Sequence, residues 1–266
     1  MDTTSVALSS FAARLALCAL AASAASSASL GQCGGYAIAS STGGVITPGA
    51  SDTGNHGDDL ATALTLPFTV SLYGNWYNAV QVVSNGSLQF TTAGSNPVEY
   101  ANECLAAPTR VTGVTLFPLW DDLRTDVTIG GVPGGVYTSV TGTPGSRVFN
   151  VEWRASYYGN DAARVSFEVR LFEDQSRIEF VYGDIPDGGA SATIGVQSAP
   201  GTFTQFSCNA AGVSSGRVLT LTPTGPAAAL CAAGGVSPAR VNSCGGGPAL
   251  MMVHVSPATS PASTGV

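Results

Sequence analysis

The chain has 266 residues, 44% of them apolar and only 10% charged, with a formal net charge of −7 at pH 7. That length allows one or two domains with a core of useful size, and an acidic balance without any basic cluster excludes a nucleic-acid-binding surface. All 10 basic residues are arginine, so the lysine of a phosphate-binding loop is missing as well.

At the N-terminus, Arg14 precedes the apolar run Leu15–Ala22, and small residues follow to Ala28. This pattern predicts an export signal over residues 1–28, cleaved after Ala24 or Ala28. The run is too short to span a bilayer, and no other segment has transmembrane length. The mature chain is therefore expected to carry no transmembrane segment and to be secreted or held at the cell surface. Leu30-Gly31-Gln32-Cys33 approaches a lipoprotein cleavage box, but Gln32 stands where a small residue is needed. Export would place the cysteines in an oxidising compartment. Cys18 leaves with the signal, and Cys33, Cys104, Cys208, Cys231 and Cys244 remain. A Cys104–Cys208 bridge would close a very long loop and add a few kcal/mol. Cys231 and Cys244 flank a Gly/Pro-rich stretch and are placed for a local ring, which leaves Cys33 without an assigned partner.

Residues 31–65 are rich in Gly, Ser, Thr and Asp, with the short apolar pieces Tyr36-Ala37-Ile38 and Val45-Ile46 as candidates for an edge strand. Residues 66–222 carry nearly all the aromatics and form the expected domain. Phe68, Val70 and Leu72 alternate with Thr69, Ser71 and Tyr73, the two-residue period of a half-buried strand. Gly74-Asn75 breaks the run, a second strand leads to Ser84, Asn85-Gly86 turns the chain tightly, and Ser87–Phe90 resumes. Val114–Trp120, Val136–Val140, Arg147–Ala155, Arg164–Phe172, Ile178–Tyr182, Ala192–Gln197 and Val218–Leu221 follow as further strands, with Tyr157-Tyr158-Gly159-Asn160 as a loop tip. Turn signals at short intervals and the lack of any helical pattern predict an all-β fold, an antiparallel β-sandwich with short strands and long loops. Residues 223–266 read as a Gly/Pro/Ser-rich linker and tail. Within them Met251–Val255 is a strand candidate, and VHVSPATSPASTGV resembles the opening of an immunoglobulin-like module, cut short.

The strands Arg147–Ala155, Arg164–Phe172 and Arg177–Tyr182 predict an antiparallel meander. Phe149, Val151, Trp153, Val165, Phe167, Val169 and Leu171 would face the core. Glu152, Arg154, Glu168, Arg170, Arg177 and Glu179 would face out, pairing across neighbouring strands on a solvated face that resists edge-to-edge aggregation.

The ordered motifs LPFTVSLYG, VQVVSNGSLQF, LFPLWDDL, GGVYTSV, RVFNVEWRA, VSFEVRLFEDQSRIEFVYGDI and ATIGVQ resemble the nidogen-like extracellular β module, found in matrix and cell-surface proteins and in exported bacterial multi-module proteins. The resemblance covers roughly residues 66–222. It implies a β-sandwich used in adhesion or matrix assembly, with no catalytic residues to carry over. The chain departs from the family pattern after Trp120: Asp121 and Asp122 are adjacent and Arg124 intervenes before Asp126, where relatives often alternate acids.

A search for catalytic chemistry finds little. There is no GxSxG elbow and no HExxH, and His56 and His254 are the only imidazoles. His56, in SDTGNHGDD, reads as a solvated loop residue. Asp121, Asp122, Glu152 and Glu168 are the acids available to a glycosidase, which needs two converging carboxylates. The chain is expected not to be an enzyme. Calcium is the better chemical expectation, held by oxygens of flexible loops. Asp121, Asp122 and Asp126 form one candidate set and Asp52, Asp58 and Asp59 with Asn55 another, although neither has the spacing of a helix–loop–helix site. The function expected is a secreted or cell-surface, non-catalytic adhesion or interaction module, its partner an extracellular protein or glycan. The alternative is a carbohydrate-binding module of an exported hydrolase. Among Trp76, Tyr77, Trp120, Trp153, Tyr157 and Tyr158, the loop pair Tyr157 and Tyr158 would then offer the stacking platform.

Overall fold

A computed structural model of the chain describes residues 35–91, 97–106, 109–173, 175–199 and 201–224. The export segment 1–28, Cys33, and the tail with Cys231, Cys244 and the strand candidate Met251–Val255 lie outside the described residues. The described chain is all-β, and no helix in it is long and apolar enough to cross a membrane. Strands β1 (Tyr36–Ser41), β2 (Ser51–Asn55), β3 (Ala61–Leu72), β4 (Asn75–Val83), β5 (Ser87–Gln89), β6 (Thr115–Trp120) and β7 (Leu123–Arg124) are followed by β8 (Gly135–Thr141), β9 (Val148–Tyr157), β10 (Asn160–Phe172), β11 (Ile178–Tyr182), β12 (Thr193–Ala199), β13 (Thr202–Cys208) and β14 (Val218–Pro223). They make two antiparallel sheets. The first runs β1-β14-β11-β10-β9-β8-β2 with β7 added beside β9, and the second runs β13-β12-β6-β5-β4-β3. The sandwich therefore begins well before residue 66, because β1 pairs with β14 and β2 with β8.

The alternating apolar residues meet between the layers. Trp153, Phe167, Phe180, Leu88, Leu116 and Leu221 are fully buried in one continuous core. Trp153 stacks on Phe167 with centroids 4.9 Å apart, and its indole N–H donates to Val83 O of the opposite sheet at 2.9 Å. Tyr182 likewise crosses the layers to donate to Pro118 O at 2.7 Å. Buried aromatic residues with polar tips need such partners, so these two bonds fix how the sheets register.

A strap lies over the outer face of the meander, which corrects the solvated face expected there. Residues 42–50 cross the first sheet as a strap. From β1 to β2 the sheet is six steps wide, roughly 29 Å at about 4.8 Å per step, and the ten residue steps from Ser41 to Ser51 reach at most roughly 36 Å. The strap therefore has little slack. Beneath it Glu152 and Glu168, direct partners across β9 and β10, are 6% and 0% exposed. Thr47 N–H donates to Glu168 Oε2 at 2.5 Å, and Gly49 N–H donates to Glu152 Oε2 at 2.8 Å. Arg170 donates to Val45 O at 2.6 Å, and Arg154 to Gly49 O at 3.1 Å. The arginines also grip the glutamate two residues away on their own strand. Pairing therefore runs mainly along the strands; the cross-strand contact Arg170–Glu179, at 3.7 Å, is long. The strap approaches so closely that a Cβ on Gly49 would lie 2.4 Å from Tyr137 Cβ.

The β13-β12-β6 part of the second sheet is covered by a flap, residues 97–106 and 109–111, which closes a smaller core of Leu105, Val111, Phe117 and Trp120 with Phe203 against it, whereas β3 and β4 leave Thr69, Trp76 and Asn78 exposed. The expected Cys104–Cys208 disulfide ties the flap to the end of β13.

Candidate functional site

The register defines two poles. Tyr36 pairs with Pro223, and Thr224 N–H donates to Gly35 O at 2.8 Å, so the described chain enters and leaves the sandwich at one point. The tight turn between β3 and β4 lies at that pole too, since Tyr73 packs on Tyr36. Leu221, Ile178, Leu171 and Phe149 form the row nearest it, whereas Leu123, Tyr157 and Asn160 form the row farthest from it. At this distal pole the β2–β3 loop, the β4–β5 turn, the corner between β6 and β7, the β9–β10 turn and the loop after β11 converge.

Asn85 holds the convergence together. It is fully buried. Its amide donates to Asp59 Oδ1 at 2.7 Å and Val98 O at 3.1 Å, and its carbonyl accepts from Leu123 N–H at 3.0 Å. Gly86 follows with φ of 71°, and a Cβ there would sit 1.8 Å from Leu119 O, so only glycine fits. The Asn-Gly turn signal was legible in the sequence; the side chain's three bonds to other loops were not. Asn55 does similar work at the adjoining loop, donating to Leu60 O and Thr62 Oγ1 and accepting from Thr125 Oγ1.

The rim so built is rich in aspartate. Asp122 is pushed up to about 6, first by partial burial and then by Asp58, Asp59 and Asp121. Burial also raises Asp121 and Asp58. Asp121 Oδ2 accepts from Ser191 Oγ at 2.6 Å. Asp187 is raised by burial but held below the usual carboxylate range overall by hydrogen bonds from Tyr157, Gly189 and Ser191. Arg124 offsets part of the charge, with Nε on Asp126 at 2.8 Å and Nη1 on Asp161 at 3.4 Å, and its side chain holds Asp126 down.

Asp126 is claimed by Arg124 and Asp121 by Ser191, while Asp122 faces Asp58 and Asp59 from the other candidate loop. Among the described residues no group of three or more His, Cys, Asp or Glu is placed to hold a metal ion. Asp52 belongs to β2, not to the rim loop, and binds His56 Nε2 at 2.8 Å. His56 is also bonded through Nδ1 to Gly134 O at 2.9 Å and stands edge-on to Tyr137; it is an exposed loop residue, as expected, with these bonds added. The tyrosine pair is split. Tyr157 ends β9, packs on the core and donates to Asp187, whereas Tyr158 is 58% exposed. Trp120 and Trp153 are fully buried. Trp76 and Tyr100 are exposed, the latter on the flap. Of the four acids considered for glycoside cleavage, Glu152 and Glu168 lie under the strap and Asp121 and Asp122 at the distal pole. A hollow of about 10 Å³ beside Val127, Ile129, Arg154 and Arg164 has room for one water at most.

Two antiparallel sheets, partly covered by a strap and a flap, and a loop-built pole define a β-sandwich module. The chain belongs to the NIDO-related family, whose model matches residues 35–230. That match takes in the strap and the strands on either side of it, which the resemblance read from residues 66–222 left out. No curated protein and no solved structure gives a significant match.

Proposed function

We propose that the chain is a secreted or cell-surface, non-catalytic interaction module that meets an extracellular partner through its distal acidic pole. The carrying observation is the arrangement of the molecule. One pole is where the described chain enters and leaves, a strap and a flap lie over parts of the sheet faces, and the far pole carries Asp58, Asp59, Asp122, Asp161 and Asp187, with exposed Tyr158 bonded through its N–H to Asp122 O. Family membership supports an extracellular interaction role, and the shallow surface supports a partner that docks over a substrate that is enclosed. A protein with an arginine- or lysine-rich surface suits this charge, and steering between opposite charges would give salt-sensitive association. Adhesion follows if the partner sits on a cell or matrix. A glycan remains the second reading, favoured by the exposed ring of Tyr158, which offers a stacking face on the residue whose N–H donates to Asp122 O.

Binding of the purified full chain to panels of basic extracellular proteins and of glycans tests this. Association with a basic protein that weakens with salt and is lost in an Asp58→Asn, Asp122→Asn double variant is expected. Glycan binding lost in Tyr158→Ala would select the second reading, and binding unaffected by either variant would move the site elsewhere.

A further inference from the structure

The disulfide is asymmetric in its surroundings. Cys104 is exposed on the flap, whereas Cys208 is half-buried at the end of β13, where Thr193 Oγ1 lies 3.4 Å from its sulfur. The flap that the bond secures lies outside both sheets. Apart from Leu105 and Val111, it is held mostly by side chains: Leu105 N–H donates to Gln205 Oε1 at 2.8 Å, Gln197 Nε2 to Val111 O at 2.6 Å, Asn102 Nδ2 to Thr193 Oγ1 at 3.0 Å and Trp120 Nε1 to Glu99 O at 2.8 Å. Such bonds are worth about 1 kcal/mol each. A segment without ladder pairing belongs to the low-stability part of a fold. Under it lie Phe117 and Trp120, stacked with centroids 4.9 Å apart and both fully buried.

We propose that Cys104–Cys208 is a reducible clasp, whose opening by a dithiol reductant frees the flap and uncovers the Phe117–Trp120 stack while the sandwich stays folded. This goes beyond the binding role of the distal pole and does not depend on it. Geometry sets the direction of the exchange. One thiolate of the dithiol attacks the exposed Cys104 sulfur, a mixed disulfide forms there, and the bond to Cys208 breaks. The electron pair leaves on Cys208; the Thr193 hydroxyl, which donates to Glu103 O of the closed flap at 3.0 Å, turns to this thiolate as the flap leaves, and the thiolate then takes a proton from solvent. The second thiolate of the dithiol attacks its own mixed disulfide and releases Cys104, which is protonated in turn. The dithiol ends as a disulfide and the protein gains two electrons and two protons. Exchange of this kind depends on access to the attacked sulfur and on the stability of the leaving thiolate.

The test is amide exchange with mass-spectrometric readout on the full chain, before and after treatment with dithiothreitol under native conditions. A Cys104→Ala, Cys208→Ala double variant serves as the permanently open reference. Peptides from residues 97–111 should exchange roughly tenfold faster or more after reduction, matching the variant, while peptides from β9, β10 and β11 keep their protection. Trapping with a monothiol should place the adduct on Cys104. Three results would overturn the clasp: reduction only when the whole sandwich unfolds, unchanged flap exchange in both the reduced protein and the double variant, or an adduct on Cys208.

Discussion

The fold opposes the ionisation of Asp122. Its value of about 6 stands above that of a free aspartate because burial and three neighbouring carboxylates oppose the charge. The native state therefore holds this proton longer than the unfolded chain does. The associated stability is fully present below the unfolded pKa and is lost as pH rises through about 6. Asp122→Asn should raise the melting temperature at neutral pH and leave it nearly unchanged in strong acid; thermal melts across that range check the sign. Asn85 gives the opposite result. Asn85→Ala would leave the buried Leu123 N–H without its acceptor, costing about 1–3 kcal/mol in urea titration. The acids, the tyrosines and the Asn-Gly turn were all visible in the sequence. Their grouping was not, because Asp122 meets Asp58 and Asp59 through loop packing between positions more than sixty apart in the chain, and local spacing carries no trace of that.

At the scale of elements, the alternating strands β3, β4, β9, β10 and β11 were legible because each has one apolar face. β2 and β13 were not. β2 is SDTGN, in which Thr53 stands alone as a strand former among turn-favouring residues, and the irregular pairing after Asp52 spans Gly54, with φ of 78°. It is a strand because the taut strap delivers it to the edge of β8. β13 is TFTQFSC, with phenylalanines at Phe203 and Phe206 that fall on opposite faces, one toward the flap core and one toward the main core, so the two-residue period is blurred. The strap explains why charged residues on the outward face of the meander are buried: they bind the backbone that crosses them. Gly49→Ala should force the strap off Tyr137 and break its bonds to Glu152 and Arg154, a loss of roughly 2–4 kcal/mol with faster amide exchange in residues 43–50. Glu168→Ala, which strands Arg170 and the Thr47 N–H under the strap, should cost roughly 3–5 kcal/mol, and Glu168→Gln distinctly less. Equal losses from the two substitutions would show that the carboxylate has no special part in holding the strap.

At the scale of the whole molecule, polarity organises the sandwich. The described ends leave side by side, stitched by Thr224 to Gly35, and the aspartate-rich rim stands at the far end. The fold class and the disulfide were available from patterning and cysteine placement; the polarity emerges only once the register of both sheets is known. The most direct test of the account is binding of the full chain to a basic extracellular protein identified from the panel, measured by surface plasmon resonance at low and high salt beside the Asp58→Asn, Asp122→Asn variant. The account predicts association that weakens steeply with salt and is abolished in the variant, with no turnover of the partner. Equal affinity of the variant and the parent chain at both salt levels would contradict it.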